Sequence, residues 1–519
     1  MAHSEKKRLN LDSVLEELGQ FGRYQIRNYC FILIPIILSA VYNSQYIFSA
    51  GSINFRCRVP QCESTPPRFE TNGWGAWALP DSGGRCDRFV SIGDTCSADA
   101  FDTSRTERCN SWIYEHHNTI VATFDLACEE WKRTLVGTIH SAGIFFALPL
   151  TAYISDTFGR RVAFIMTAVA PSVVGVARSF STNYVMYMVL ELLEAIVGSG
   201  VYSSGFILAL EMVGVNRRVL GGNIISCSFA VGQAIVALIA WGIPEWRTLT
   251  RVLYAPAILF LLYCFVLEES VRWLLSKGKR QEAARIIFKA AETNKKKLSP
   301  ETIKLLSDAN VELEDSVTPT EAKKESLAMR VLRSRVLMSR LFTCSFWWIT
   351  VTFIYYGLSI NSVSLAGNSY VNYILTSLVE IPGYGLSVLT LDRFGRKASV
   401  MTAFFLQWLQ TCLNLLGKMA ISMVFSSIYI YTSELYPTSV RHTMVALCSM
   451  VGRIGQLIAP QTPLLVSTSY MESLPYLLFG IMAVAAGLLM LLTPETLHIQ
   501  LPDTIQQITF GKKCKIEDN

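Results

Sequence analysis

The 519-residue chain has little charge: Asp, Glu, Lys and Arg make up 17% of it, whereas hydrophobic residues make up 51%. Soluble domains usually contain about 25% charged residues. This shortage excludes a soluble multidomain enzyme, a disordered protein and a fibrous one. The net charge of +6 is modest, and the basic residues flank apolar runs instead of forming a patch with aromatics. No nucleic-acid partner is therefore expected.

Several motifs with known chemistry are also missing. The chain has no Walker motif for ATP, and its large loop at 51–133 has no CxxC pair and no Asn-x-Ser/Thr sequon. We therefore expect no ATP-driven step, no metal site, no other cofactor and no N-glycan on that loop. No group of residues forms a catalytic set that we can recognise, so an enzyme is not expected.

Long runs of apolar residues account for the low content of charged residues. Runs near 20 residues are long enough to cross ~30 Å of hydrocarbon at ~1.5 Å per helical residue. They occupy residues 27–50, 134–155, 162–180, 184–210, 219–242, 249–267, 340–360, 370–391, 398–411, 415–433, 442–467 and 474–493. The pattern predicts an all-α integral membrane protein with twelve transmembrane helices, split six and six.

Residues 1–26 do not resemble a secretory signal. Three basic residues at 6–8 precede an apolar stripe with the i, i+3, i+4, i+7 spacing of a helix. This segment is predicted to be a short cytoplasmic amphipathic helix that lies against the inner membrane surface.

The segment 51–133, after the first run, holds six of the thirteen cysteines. They are Cys57, Cys62, Cys86, Cys96, Cys109 and Cys128. An even number in one Gly/Pro-rich segment predicts up to three disulfide bonds, with the pairing left open. Because disulfides persist in oxidising compartments, this loop is expected outside the cell or in a lumen.

A second polar segment, residues 268–339, has the opposite character. It holds fifteen Lys/Arg, eleven Asp/Glu and no cysteine, whereas 51–133 holds nine Lys/Arg and twelve Asp/Glu. By the positive-inside rule this segment and both termini face the cytoplasm. The predicted domains are an N-terminal half at 27–267, a linker with short helices at 268–339, a C-terminal half at 340–493 and a cytoplasmic tail at 494–519.

The two halves share motifs at the ends of corresponding runs. Asp156-Thr-Phe-Gly-Arg-Arg161 follows the second run, and Asp392-Arg-Phe-Gly-Arg-Lys397 follows the eighth. A Glu with an Arg seven residues later follows the fourth and tenth runs, and a triplet centred on Glu follows the sixth and twelfth. Three matched motifs in one order predict a parallel repeat, of the kind from which alternating-access transporters are built.

The repeated clusters are predicted to be gates on the cytoplasmic side. A charge network made on one side only would stabilise the outward-open state and break when the protein opens inward. The alternative is plain anchoring by the positive-inside rule, and the match between the halves favours the gate. The predicted gating residues are Asp156, Gly159, Arg160, Arg161, Glu211, Arg218, Glu269, Arg272, Asp392, Arg393, Gly395, Arg396, Glu434 and Arg441.

With these motifs the chain resembles the major facilitator superfamily, and within it the organic cation, organic anion and carnitine transporter family of the insect organic cation type. The resemblance covers nearly the whole chain. It is carried by Leu18-Gly-Gln-Phe-Gly-Arg-Tyr-Gln25, the six-cysteine loop, both Asp…Gly-Arg-Arg/Lys loops, Glu269-Ser-Val-Arg-Trp-Leu274 and Ser433-Glu-Leu-Tyr-Pro-Thr438. It implies two six-helix halves that rock around a cavity at mid-membrane.

Two charged residues, Glu380 and Arg453, lie midway along predicted spans. A charge at the bilayer centre costs ~2.5–3.5 kcal/mol on insertion scales, so each is a functional candidate. The resemblance implies that the Glu380 position is acidic in cation and carnitine carriers, and that the Arg453 position is basic in anion and carnitine carriers. One charge of each sign predicts a carnitine-like zwitterion as substrate. The alternative is that the two charges neutralise each other or other residues and recognise nothing.

Aromatic faces are good partners for an ammonium group. By the resemblance, Tyr202, Trp348, Tyr355 and Phe425 match positions that line the cavity, and they complete the predicted substrate site. For Trp348 or Phe425 taken alone, helix packing is the simpler explanation.

Four more polar residues lie in predicted spans. Glu191 and Glu194 are three apart and so share one helix face; Glu191 is a candidate partner for Arg453, and a purely structural pairing is the alternative. His140 is interpreted as a hydrogen-bonded core histidine rather than a proton relay. Lys418 lies near the start of the tenth span.

The repeat also exposes a short ninth span. Lys397 and Glu434 have 36 residues between them, whereas Arg161 and Glu211 have 49. Two spans of ~20 residues and a turn do not fit in the shorter segment. About ten residues remain for the ninth span, enough for only ~15 Å of helix. We predict a truncated ninth helix, from a splice variant or gene model, with poor folding or weak transport.

The preferred function is transport of small organic cations or zwitterions across the plasma membrane by a lipid-embedded monomer. An organic anion carrier that uses Arg453 is the alternative within transport. A receptor that presents the disulfide loop, and transports nothing, is the alternative of a different class.

Overall fold

The computed structural model describes residues 8–9, 11–80, 85–214, 217–307, 312–313, 334–394, 397–402, 414–436, 441–468 and 474–496. Up to the linker the helices are α1 (Leu11–Glu17), α2 (Arg23–Ser49), α3 (Gly75–Ala78), α4 (Ile120–Thr123), α5 (Glu130–Phe158), α6 (Arg160–Arg178), α7 (Tyr184–Gly198), α8 (Gly200–Glu211), α9 (Arg218–Gly242), α10 (Trp246–Tyr254) and α11 (Tyr263–Val266). The linker contains α12 (Val271–Ser276), α13 (Arg280–Asn294) and α14 (Pro300–Ser307).

The C-terminal half contains α15 (Arg335–Asn361), α16 (Ser369–Leu378), α17 (Glu380–Phe394), α18 (Asn414–Leu435), α19 (Arg441–Ile458), α20 (Thr462–Thr468) and α21 (Leu474–Met490). Short 3₁₀ helices lie at Ala98–Ala100, Ala255–Leu262, Ser362–Ser364 and Ala459–Gln461. Polar caps begin several of these helices: the side chain of Asn183 accepts the Met186 N–H of α7, and that of Asn368 accepts two N–H groups of α16.

Eight described helical stretches are long and apolar enough to cross a membrane. They are Arg23–Ser49, Glu130–Phe158, Arg160–Arg178, Tyr184–Glu211, Leu220–Gly242, Trp246–Val266, Arg335–Ser364 and Asn414–Leu435, and the shorter Leu474–Met490 is also apolar. These stretches match predicted runs. The eighth and eleventh runs are helical but broken, at Val379 and at the 3₁₀ turn before α20. Residues 403–413 of the predicted ninth span lie outside the described residues, so the twelve-helix count and the truncated ninth helix stay predictions.

The purely helical prediction missed six short strands: β1 (Arg8–Leu9), β2 (Phe55–Cys57), β3 (Asp87–Ser91), β4 (Phe101–Arg108), β5 (Trp112–Tyr114) and β6 (Glu312–Leu313). β1 and β6 pair in parallel, whereas β2 with β5 and β3 with β4 pair antiparallel. β2 to β5 all lie in the cysteine loop. Strands this short carry little periodic signal, and cross-links determine their pairing instead.

Three disulfides staple the cysteine loop, as the cysteine count predicted. They join Cys57 to Cys109, Cys62 to Cys96, and Cys86 to Cys128. Cys57 ends β2 and Cys109 follows β4, so one bond ties the two small sheets together. The loop therefore has its own folded core, which includes Val59, Ala78 and Phe101.

The apolar stripe of α1 is buried against protein and not against lipid. Leu11, Val14, Leu15 and Leu18 pack with Trp273, Leu274 and Ile287 of the linker helices α12 and α13. The prediction that this stripe lies on the membrane surface is therefore wrong, because the linker covers it.

Next to this cluster, hydrogen bonds from the backbone N–H and hydroxyl of Ser299 hold the pKa of Glu17 below its ordinary value, against a weaker desolvation effect.

The two halves contact each other beneath the cysteine loop. The Thr134 hydroxyl of α5 donates to Gln461 Oε1 at 3.0 Å, and Gln461 Nε2 donates to the Thr138 hydroxyl at 2.6 Å. The ring of Phe48 stacks on that of Tyr370 with centroids 5.6 Å apart. The described conformation is thus closed on the side of the membrane that carries this loop.

Candidate functional site

Glu380 is fully buried and already has a cationic partner. Lys418 Nζ of α18 lies 3.0 Å from Glu380 Oε1, and neither side chain has any exposed surface. Lys418 also donates to the Tyr355 carbonyl at 3.0 Å and to Ser359 Oγ at 2.6 Å. Its ammonium lies 3.2 Å from the centroid of the Tyr355 ring. An amine of the chain itself thus lies in a carboxylate-and-aromatic setting of the kind that suits a cationic ligand.

Two phenols complete the environment of the Glu380 carboxylate. The hydroxyls of Tyr355 and Tyr384 donate to Glu380 Oε2 at 2.8 and 3.0 Å. Gln233 of α9, in the other half, donates to the Tyr355 hydroxyl at 3.5 Å. Glu380 therefore has partners on both oxygens, and the network extends across the interface between the halves.

The position of Glu380 follows from a break in its span. α16 ends at Leu378 and α17 begins at Glu380, two residues before Pro382, which has no N–H to continue the helix. Discontinuous helices near mid-membrane are typical of transporter binding sites.

Arg453 does not contact Glu380. Its Nη1 donates to Gln456 Oε1 at 2.8 Å, one turn further along α19. The side chain is half-buried, and its Nε is buried without a hydrogen-bond partner among the described residues. Glu380 and Arg453 therefore do not neutralise each other. Glu380 is instead neutralised by Lys418, which is the other form of the alternative that the sequence left open.

The two charges nevertheless border one shared group. Both Arg453 and Glu380 interact electrostatically with the phenol of Tyr356. α19 approaches α15 closely here because Gly452 and Gly455 have no side chains; a Cβ at Gly452 would lie 2.9 Å from Trp348 Cβ. The Tyr356 phenol is thus within electrostatic reach of both charges.

Aromatic rings from α15 and α18 form one connected cluster beside these charges. Ring centroids of Tyr355 and Phe425 are 5.2 Å apart, those of Phe425 and Trp348 6.4 Å, and those of Trp348 and Tyr429 4.3 Å. Trp348 and Tyr355 are buried, whereas Phe425 is half-buried. The three predicted aromatic positions of the C-terminal half are therefore brought together.

Tyr202 is the predicted site residue of the N-terminal half. It packs against Phe206 and Phe229, and its hydroxyl lies 3.4 Å from Ser226 Oγ. Its phenol interacts electrostatically with Arg453. Tyr202 is therefore within electrostatic reach of Arg453 of the other half.

Glu191 has a different partner from the one proposed. Its carboxylate is bonded by the guanidinium of Arg178, and its Oε1 lies 2.9 Å from His140 Nδ1. The suggestion that it pairs with Arg453 is therefore wrong. His140 is hydrogen-bonded and buried, as interpreted from the sequence. Arg178 was not predicted as a site residue; it lies two residues before the end of the third apolar run and is the last residue of α6.

Hydrogen bonds at the linker-side helix ends repeat between the halves. In the N-terminal half the backbone N–H of Arg161 donates to Glu269 Oε1 at 3.0 Å. In the C-terminal half the backbone N–H of Lys397 donates to Glu495 Oε2 at 3.0 Å. Thr496 Oγ1 donates to Glu434 Oε2 at 2.6 Å, and Ser270 makes the equivalent bond to Glu211. These bonds match the three sequence motifs pair by pair.

Each of these bonds joins a helix end of one half to the linker or tail segment that directly follows that half. Arg160 also lies 2.6 Å from Asp156 and 3.6 Å from Glu211. Burial raises the pKa of Glu269, and the N–H groups of Ser270 and Arg161 act in the opposite direction. The motifs therefore hold helix ends together within a half, which is what a rigid rocking unit needs.

The other predicted gating residues lie around these contacts. Arg218 begins α9, Arg272 lies in α12 and Arg393 is exposed near the end of α17. Gly395 and Arg396 lie outside the described residues, as do the side chains of Asp392 and Arg441. Whether the clusters act as gates stays a prediction.

Gly159 connects α5 to α6 with a φ of 117° and a ψ of 158°, a conformation open essentially to glycine alone. A Cβ here would also collide with the Glu269 carboxylate. We expect Gly159→Ala to destabilise the protein by about 1–3 kcal/mol, seen as a lower midpoint in thermal unfolding of the detergent-purified protein.

The matched control is Gly242→Ala. A Cβ at Gly242 meets no atom within 4 Å, and its φ is ordinary. An equal loss of stability in both variants would show that the turn at Gly159 is not under the proposed constraint.

Known proteins resemble this chain along its length. The family described as "Sugar (and other) transporter" matches residues 112–506. The "Organic cation transporter protein" of Drosophila melanogaster is 31% identical, with 97% of this chain and 96% of the relative covered. The chain belongs to the major facilitator superfamily, in its organic cation, anion and carnitine transporter family. This transporter is therefore a multi-pass membrane protein of a family of carriers, not of enzymes.

Two further comparisons agree with that placement. "Solute carrier family 22 member 3" of Mus musculus is 28% identical, covering 96% of the transporter and 95% of the relative. The structure titled "Inward open conformation of the xylose transporter XylE from E. coli" superposes with a TM-score of 0.58 at 14% identity, covering 91% of the transporter and 98% of that chain. The structural similarity to XylE shows that the fold is the major facilitator fold.

Proposed function

We propose that this transporter carries small carnitine-like zwitterions, with a carboxylate and a cationic amine in one molecule, across the plasma membrane by alternating access. The observation that carries the proposal is the pair of opposite charges, Glu380 and Arg453, at one aromatic cluster between the halves. The fruit-fly relative is named for organic cations, which is compatible with a substrate that carries a cationic group.

Arg453 is the proposed carboxylate ligand. Its guanidinium is half-buried, one of its N–H groups has no described partner, and its neighbours are aromatic rather than acidic. A carboxylate bound there would form charge-assisted hydrogen bonds in a region poor in water. The substrate would thereby compensate a charge that is only partly compensated by Gln456.

The aromatic cluster and Glu380 are the proposed site for the cationic group. Phe425 and Trp348 supply rings of the kind that attract quaternary ammonium groups, whereas the Tyr355 ring lies 3.2 Å from Lys418 Nζ. The Glu380 carboxylate is shared with Lys418, so a substrate cation binds either beside this ion pair or in place of the lysine ammonium. Plain cations depend on that displacement more than zwitterions do, because they gain nothing from Arg453.

A second candidate function is organic anion transport, and the Lys418–Glu380 pair favours it. This pair is neutral as a unit, so Arg453 supplies the net charge of the cluster. A plain carboxylate would then use Arg453 and the ring faces without any need for Glu380.

Topology and motion form part of the same proposal. The cysteine loop would face outside, and the linker and both termini the cytoplasm, in keeping with the loop's disulfides. Residues 27–267 and 340–493 would rock as units, held at their linker-side ends by the repeated Glu–backbone bonds. The transport unit would be a monomer.

The experiment compares three labelled solutes in cells that express the full chain: a trimethylammonium carboxylate, its methyl ester and a plain aromatic carboxylate. The ester keeps the cation and loses the anion, so it isolates the role of the carboxylate. We expect saturable uptake of the zwitterion, and weaker uptake of the other two. Uptake of the plain carboxylate alone would replace the first proposal by the second, and no uptake from a folded, surface-exposed chain would contradict both.

A further inference from the structure

A second buried charge cluster lies in the N-terminal half, away from the proposed substrate site. His140 comes from α5, Arg178 from the end of α6, and Glu191 and Glu194 from α7. None of these side chains is more than 3% exposed. The Arg178 guanidinium and His140 Nδ1 take up the two oxygens of Glu191. Four ionisable groups in so small a volume require that their charges balance.

Glu194 is the acid of the cluster that lacks a full set of partners. Its Oε2 lies 3.7 Å from Arg178 Nη1 and 3.9 Å from His140 Nδ1, both beyond hydrogen-bond length. This oxygen is buried and has no hydrogen-bond partner among the described residues. An ionised carboxylate left in that position would be costly, whereas a protonated one would not.

The charge count of the cluster leaves room for one proton. Arg178 stays protonated, and it balances the ionised Glu191. His140 as a neutral ring donates its Nδ1–H to Glu191, and its unbonded Nε2 then carries no charge. With His140 neutral, the total is zero when Glu194 is neutral too; an imidazolium at His140 with an ionised Glu194 gives the same total but buries two more charges.

The surrounding elements add no other group that ionises near neutral pH. Gln45 of α2 accepts from Arg178 at 2.8 Å and donates to Thr250 of α10 at 3.0 Å. The remaining polar neighbours are the phenols Tyr42 and Tyr46 of α2, Tyr187 of α7 and Tyr254 of α10. Phenols ionise near pH ~10, so the exchangeable proton belongs to Glu194 or His140. We assign it to Glu194, because a buried carboxylate oxygen and a buried imidazolium N–H would otherwise both lack partners among the described residues.

The cluster also lies against the contact that closes the halves. The ring of Tyr46 is 5.1 Å from that of His140, and it interacts with Tyr356 and Tyr373 of the other half. One turn before His140, a Cβ at Gly137 would lie 2.7 Å from Pro460 Cβ. Separation of the halves on this side would therefore bring water towards the cluster.

We propose that Glu194 is a proton-binding site that loads from the side of the membrane with the cysteine loop, and that its protonation favours the conformation closed on that side. Water around an open cluster lets Glu194 ionise, whereas closure in the absence of water requires the neutral acid. The link to a transport cycle rests on the proposed function; the proton site itself does not.

The proton site is tested first by infrared difference spectra of the purified full chain in lipid nanodiscs, titrated from about pH 4 to about pH 10, which spans ordinary carboxyl and histidine pKa values. We expect a carboxylic acid C=O band that titrates in the wild type and in the exposed-site control Asp99→Asn, and that is lost in Glu194→Gln. Persistence of the full band in Glu194→Gln would overturn the assignment. If that variant does not fold, Glu194→Asp must shift the midpoint of the band, and an unchanged midpoint would overturn it equally.

The second arm measures uptake of the zwitterion against pH on the cysteine-loop side. A single titrating group changes its occupancy by about tenfold between one pH unit below and one above its midpoint. We expect uptake to follow such a step in the wild type and in Asp99→Asn, and to be flat in Glu194→Gln. An equal step in Glu194→Gln would overturn the coupling. Absence of uptake in every form would contradict the proposed function instead. The infrared spectra would then test the proton site independently of transport.

Discussion

Arg453→Ala is expected to lower kcat/KM for the zwitterion about 10- to 100-fold, and to change uptake of its methyl ester by less than about twofold. Hydrogen bonds to a charged group contribute about 1.5–3 kcal/mol, and each 1.4 kcal/mol is about tenfold in affinity. Because the ester has no carboxylate, it does not make this contact, and the substitution does not weaken its binding. Initial rates of uptake over a range of concentrations measure both solutes in the same cells.

Two variants make this expectation specific to the guanidinium. Arg453→Lys keeps the positive charge but not the planar set of N–H donors of the guanidinium. It should therefore retain part of the zwitterion uptake that Arg453→Ala loses. Arg335→Ala removes an exposed arginine at the start of α15 and should leave uptake of both solutes unaffected. Equal losses of zwitterion and ester in Arg453→Ala would show that the residue supports the fold and does not bind the carboxylate.

The Glu380–Lys418 pair carries the second large expected effect, on stability. Glu380→Gln and Lys418→Met should each destabilise the protein by about 3–5 kcal/mol, because each leaves a buried charge without its partner. The double variant should be much closer to the wild type than the sum of the single changes, since neither charge remains. Thermal unfolding of the purified proteins, followed by size-exclusion chromatography after heating, gives the comparison.

Transport by the same variants separates a binding role from a structural one. Lys418→Met frees the Glu380 carboxylate and the Tyr355 ring face. Uptake of the plain cation should therefore increase relative to uptake of the zwitterion. Glu380→Gln should abolish uptake of both solutes. Strictly additive destabilisation in the double variant, with no change in the preference between the solutes, would contradict the pairing.

The apolar runs located the eight described stretches that are long and apolar enough to cross a membrane. A helix in lipid must be apolar along ~20 residues, and that signal is continuous in sequence. The matched motifs were equally visible, and the bonds Arg161–Glu269 and Lys397–Glu495 show the physical reason: each motif supplies one partner of the same contact. The cysteine count predicted the disulfides but left their pairing open, since pairing depends on the fold of the loop.

Partner choice within the membrane was not predictable in the same way. Glu380 was identified as important, yet its pairing with Lys418 depends on how α17 packs against α18. Arg178 sits at a helix end in sequence but reaches inward to Glu191. A sequence shows which charges are costly, and the packing of helices decides which of them meet.

The central claim is that the chain moves a zwitterion between two aqueous sides by alternating access, and counterflow in liposomes tests it most directly. Purified protein is reconstituted, the liposomes are loaded with unlabelled zwitterion, and a trace of labelled zwitterion is added outside. The account predicts transient accumulation of label in liposomes with the wild-type chain and little or none with Arg453→Ala. Equal label in protein-free liposomes and in liposomes that contain folded wild-type protein would contradict it.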